Sequence, residues 1–211
     1  MAVTPLPGFP GFAVEYNPAD NPYFKSIMVE NLAKLKTVAL GKELLKLIGD
    51  AKPGSRGTFP NGINVICRPF KARYIQVGFK PAYAPGETGG TRSAMAPSAH
   101  PAHNVAGSNF HCYGSSLNMA VDQTETAVGK RGTVCYMDFS NAQIIASGGE
   151  KAYPHIVLAH ELIHSYHCLY AIHADSEEER KTTGIGAYAN ERMSENGFRK
   201  AFNLPLRAAY G

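Results

Sequence analysis

The sequence predicts an α+β domain in which a small mixed sheet packs against one buried helix. An apolar stripe recurs at helical spacing from Phe24 to Ile48, and short apolar runs bounded by turn residues occupy 63–67, 74–79 and 133–139. A further helix opens near Pro154 and is apolar on most of its circumference. The chain has 211 residues, 44% of them hydrophobic and 18% charged, which suits one core and excludes a mainly disordered polymer.

Residues 1–21 hold four prolines before position 19 and read as an extended, unstructured lead; the folded domain is expected over 22–211. Asn21-Pro22 suits an N-cap followed by a first helical residue, and Phe24, Ile27, Met28, Leu32, Leu35 and Val38 continue the helix. Gly41 is expected to separate it from a second helix carrying Leu44, Leu45, Leu47 and Ile48, while Glu30, Lys34 and Lys36 form a solvated face. Ile63–Cys67 and Tyr74–Phe79 read as neighbouring strands. Residues 81–110, with four prolines and the glycine cluster at 86–90, read as a long loop suited to a substrate-contacting lid. Thr133–Phe139 is the clearest strand and is expected at a sheet edge, where an extended peptide could pair with it.

A net charge of +4 is too mild and too dispersed to indicate nucleic acid or a membrane surface, and no run approaches 18 apolar residues. Lys and Arg are absent before position 25, so a Sec-type signal is not expected and export would follow another route. Cys67, Cys112, Cys135 and Cys168 show no CxxC spacing and read as buried thiols. No self-complementary apolar surface is legible, so a monomer is expected.

The chemistry concentrates in His160-Glu161-Leu162-Ile163-His164, an HExxH motif on the helix from Pro154. Imidazoles at i and i+4 share a helix face and can reach one Zn²⁺, and Glu161 is placed to take a proton from a water that the metal activates. With eight histidines in this composition, chance predicts about 0.02 occurrences, so coincidence is a weak rival. Catalytic zinc needs a third protein ligand, and the downstream candidates are His167, His173, Asp175, Glu177, Glu178, Glu179, Glu191 and Glu195. The elongated HExxHxxGxxH pattern is excluded, because His167 and Tyr170 stand where it needs glycine and histidine. A glutamate on a following helix, capped by Asp175 or Ser176, is favoured. Glu195 and Arg199, at i and i+4, read first as an ion pair; His167 and His173 read as facing solvent or the periphery of the site.

HELIH followed by Glu178-Glu179-Arg180-Lys181-Thr182-Thr183-Gly184 resembles the HELIH and EExxTxG elements of clostridial neurotoxin light chains. Together with Glu195-Asn196-Gly197-Phe198-Arg199 and Leu204-Pro205-Leu206-Arg207-Ala208-Ala209-Tyr210, residues 154–211 resemble the NleD-type effector metallopeptidases of type III secretion. The resemblance implies a zincin-like fold, a gluzincin-like zinc endopeptidase, and Glu178 as third ligand beside His160 and His164. It also implies that Arg207 and Tyr210 present a guanidinium and a phenol to the scissile carbonyl. The implied setting is secretion into a host cell's cytoplasm and cleavage of host signalling proteins, mitogen-activated protein kinases among them. A zinc peptidase toxin with another target and a non-catalytic zinc-stabilised binding protein are the competing expectations.

Overall fold

The computed structural model of the chain describes residues 3–51, 62–69, 109–113, 134–139, 144–145, 150–170, 172, 174 and 177–209. Strands β1 (Val3–Pro5), β2 (Phe12–Glu15), β3 (Val65–Pro69), β4 (Asn109–Tyr113) and β5 (Val134–Phe139) form one five-stranded sheet in the order β1-β2-β3-β5-β4. The three central strands are parallel and the two outer ones antiparallel to their neighbours, so the sheet is mixed. A two-stranded ribbon, β6 (Ile144–Ile145) with β7 (Lys151–Ala152), leads into the long helix.

Alternation along the strands determines which face carries the core. Phe12 is in register with Val65, and Val65 with Cys135; Val14, Cys67 and Met137 form the next row. All six are buried, and with Phe139 they meet α1 (Phe24–Leu35), α2 (Ala39–Asp50), α3 (Pro154–Leu169) and α5 (Glu195–Ala201) in a single cluster. Ala13 and Ile66 turn to the other face, where a small cluster with Ile63 and Val3 covers them. Each large apolar side chain taken fully from water contributes about 1.5–3 kcal/mol, so these rows bind the helices to one side of the sheet.

Helix α3 is buried from Ile156 through Ser165, with Ile156, Leu158, Ala159, Leu162 and Ile163 at 0% exposure. The aliphatic flanks of HExxH are therefore core residues, and its polar residues sit where any hydrogen bond left unmade is costly. Helix α4 (Glu178–Thr183) crosses beside it and ends at Gly184, whose φ of +79° closes a left-handed cap. A 3₁₀ turn, Gly186–Tyr188, then leads to α5, which opens on Ser194, its hydroxyl accepting the Gly197 amide at 3.1 Å.

Several expectations are corrected. The lead expected to be unstructured supplies β1 and β2, because Phe12 and Val14 alternate inward and the backbone pairs in parallel with β3. Helix α1 begins at Phe24 with Tyr23 at its N-cap, two residues beyond the expected start. Gly41 does not divide the helices: the break falls at 36–38, and Gly41 lies buried within α2. A Cβ there would lie 2.6 Å from the Leu35 carbonyl carbon, so glycine lets the two helix ends close on each other. Strand β5 is interior, flanked by β3 and β4, and among the described residues β4 is the edge on that side; its first two residues fall in the segment expected to be loop. The expected strand at 74–79 and residues 81–108 lie outside the described residues. Cys67 and Cys135 are fully buried thiols, and burial pushes both thiol pKa values above their ordinary range. None of the described helices is long and apolar enough to cross a membrane.

Gly184 joins α4 to the turn before α5, and a Cβ on it would strike Ser194, lying 2.8 Å from that residue's Cβ as well as against its hydroxyl. Gly184→Ala is expected to destabilise the fold by at least about 1–3 kcal/mol from left-handed strain. A lowered urea midpoint at unchanged m-value would show it, and wild-type stability would refute the packing described.

Candidate metal centre

His160 and His164 lie one turn apart on α3, and their Nε2 atoms are 3.2 Å from each other. The carboxylate that meets both belongs to Glu179: its Oε2 is 3.3 Å from Nε2 of His160 and 3.5 Å from Nε2 of His164. The three atoms form a nearly equilateral triangle. An ion held at about 2.0–2.1 Å by three corners of a tetrahedron requires ligand separations of about 3.3 Å, so the triangle has the dimensions of a zinc site. Two imidazole nitrogens and one carboxylate oxygen are also a donor set suited to zinc. Among the described residues this is the one group of three such donors close enough to share an ion.

Each ring is held from behind through Nδ1. Glu195 Oε2 lies 3.0 Å from His160 Nδ1, and Glu178 Oε1 lies 2.9 Å from His164 Nδ1. An ionised carboxylate only accepts, so both Nδ1 atoms carry hydrogen, and each Nε2 turns a lone pair to the triangle once its own proton has left. The backing carboxylates are themselves secured. Glu178 accepts from His167 Nδ1 at 2.7 Å, the Thr182 hydroxyl at 3.1 Å and the Ala174 amide at 2.9 Å. Glu195 accepts from Arg199 Nε at 2.7 Å and from Arg207 Nη1 at 3.0 Å.

The third element closes over this arrangement through the backbone. Asn196 receives the Arg207 amide on Oδ1 at 2.8 Å and donates through Nδ2 to the Arg207 carbonyl at 2.9 Å and the Gly184 carbonyl at 3.1 Å. Arg199, fully buried, also donates to the carbonyls of Lys151 and Pro205, both at 3.1 Å. The four residues Glu195, Asn196, Arg199 and Arg207 thereby fix the C-terminal segment against α3.

The charges respond to this geometry. Burial works against the charged form of His160, yet its hydrogen bonds to Glu179 and Glu195 prevail and raise its pKa to about 9. His164 is raised too, its two glutamate partners outweighing burial. His167 moves the other way, because burial outweighs its bond to Glu178. Burial would raise the carboxyls of Glu178 and Glu179, but the facing imidazoles hold both well below the usual carboxylate range. Glu195, similarly buried, is held at about 2 by His160 and the two arginines.

Of the residues singled out in the sequence, His160, Glu161, His164, Glu178, Glu195, Arg199 and Arg207 gather around this point. Glu161 is 7% exposed and follows His160 on α3. Glu178, the expected third ligand, stands behind His164 on its Nδ1, and the neighbouring Glu179 meets both Nε2 atoms. Helix α4 starts at Glu178 with Glu177 at its N-cap, later than the Asp175 or Ser176 cap expected, and that phase sets which ring nitrogens each of the two adjacent glutamates meets. The Glu195–Arg199 ion pair forms as expected. Glu191 lies apart, accepting the Met193 amide at 3.3 Å. Tyr210, His173, Asp175, His100 and His103 lie outside the described residues.

No protein-family profile matches the sequence, and no curated protein matches it. Among solved structures, the light chain of botulinum neurotoxin serotype HA aligns with a TM-score of 0.39 and 16% identity, over 74% of this chain and 36% of that one. The chain thus spans about a third of that structure's length.

A metal must displace the protons that the raised histidines carry. Zn²⁺ binding to the metal-free protein at pH 7 is therefore expected to release about one to two protons, and affinity should rise roughly tenfold per pH unit per proton toward pH 9. Calorimetry in two buffers of different ionisation enthalpy measures the release; binding without it would contradict the electrostatics above.

Proposed function

We propose that the chain is a zinc-dependent endopeptidase with His160, His164 and Glu179 as protein ligands and Glu161 as general base. The observation that carries this reading is the donor triangle, with edges of 3.2, 3.3 and 3.5 Å, set beside the glutamate of an HExxH motif. Bound there, Zn²⁺ would supply Lewis-acid polarisation of a peptide carbonyl and would lower the pKa of a water toward about 7.

The chain's own groups account for the remaining steps. Glu161 takes the proton of the attacking water and returns it to the departing amine, a role for a carboxylate on the same helix turn as the ligands. Glu178 and Glu195 hold the two rings so that neither reorients as charge develops. Arg207 is anchored by Glu195 and donates to the carbonyl oxygen as it becomes negative, with Tyr210 as a second donor. Arg207 and Tyr210 take these roles from the RxxY resemblance; the bond from Arg207 to the carboxylate that backs His160 supports the former.

The substrate is a protein. The order of the four motifs across 154–211 supports a finer reading, that of a bacterial effector delivered by type III secretion into a host cell and cleaving host signalling proteins, mitogen-activated protein kinases first. Metal analysis of the purified chain combined with a search for new N-termini in a host lysate tests cofactor, activity and target together.

Glu161→Gln is expected to retain zinc while losing about 100- to 10,000-fold in hydrolysis; undiminished cleavage would remove the general base. Glu179→Ala is expected to lose zinc more severely than Glu178→Ala, in chelator competition at one pH. The reverse order would restore Glu178 as the ligand.

A further inference from the structure

We infer that His167 is a positioning residue for the metal centre: by clamping the Glu178 carboxylate oxygen that His164 meets, it fixes the ring orientation and tautomer of His164. The inference rests on the zinc reading proposed above. His167 lies three residues beyond His164 on α3, so both rings lie toward the same side of the helix and meet α4. Their Nδ1 atoms converge on a single oxygen, Glu178 Oε1, at 2.9 Å from His164 and 2.7 Å from His167. His167 and Glu178 are each 1% exposed, so bulk water does not replace either partner.

The geometry separates this from a histidine that merely fills the core. A carboxylate tied to His164 alone could rotate about its side chain and carry the ring with it. Glu178 is instead held from α3 by His167, from its own helix by Thr182 and from the preceding segment by the Ala174 amide. These contacts leave its Oε1 one orientation toward His164. The Nδ1 hydrogen of His164 is then fixed, and Nε2 faces His160 and Glu179. His167 is the shortest of the four contacts and the only aromatic donor in the clamp besides His164 itself.

The test uses the full chain and Zn²⁺, with affinity measured against a chromophoric chelator and ligand geometry read from the absorption spectrum of the Co²⁺ form. His167→Leu removes the donor and is expected to weaken Zn²⁺ binding about 10- to 100-fold and to alter the Co²⁺ spectrum. His167→Asn places an amide N–H near the original Nδ1 and is expected to restore affinity to within about threefold of wild type. His167→Gln carries its donor too far out and should behave as the leucine variant; it decides the matter if H167L does not fold. Wild-type affinity and spectrum in H167L or H167Q, or failure of H167N to restore what they lose, would overturn the inference while leaving the zinc reading intact. Absence of zinc binding by the wild-type chain would overturn both.

Discussion

One buried carboxylate, that of Glu195, holds the architecture of the site together. Its two oxygens meet His160 on α3, Arg199 on its own helix and Arg207 in the C-terminal segment. Burying any one of these ionisable groups alone would be prohibitive, and each is tolerable because the others supply its missing solvent. The position of α5 follows from this, because Glu195 must reach a ring on α3 while Arg199 reaches the carbonyls of Lys151 and Pro205. So does the path of residues 204–209, which Asn196 grips through both backbone groups of Arg207.

The apolar core makes such exact polar placement feasible. Rows of side chains from β2, β3 and β5 fix α3 against the sheet, and a helix surrounded by core leaves its polar residues little freedom to find other partners. His160 and His164 are consequently backed by carboxylates from two different helices, α5 and α4, which arrive from different parts of the chain. The loop geometry at Gly184 matters for the same reason: it sets α4 relative to α5, and with it the relation between the two backing glutamates.

Much of this was legible in the sequence because it depends on local spacing. HExxH specifies two rings on one helical face with a carboxylate beside them whatever surrounds it, and the aliphatic flanks announce that the helix is buried. Glu195 and Arg199 announced their pairing by the i, i+4 rule. The choice between Glu178 and Glu179 was not legible, since adjacent helical residues point about 100° apart and the answer depends on where α4 starts. The strands at 3–5, 12–15 and 109–113 were missed because their pairing is long-range: three to five residues among prolines and glycines carry too little alternation to be read alone. The interior place of β5 likewise follows from its pairing with β4, which contact across the sheet decides and local pattern does not.

The donor triangle has a consequence for how such a chain would be made. Glu178, Glu179 and Glu195 crowd the two imidazoles together with two arginines, and with Glu161 next to His160 in the chain they leave a formal shortfall of two positive charges. Protons on His160 and His164 can make up that shortfall, and so can one divalent ion. Exchanging the one for the other leaves the interior electrically unchanged, so arrival of the ion need not rebuild its surroundings. Folding and metal loading are then separable events.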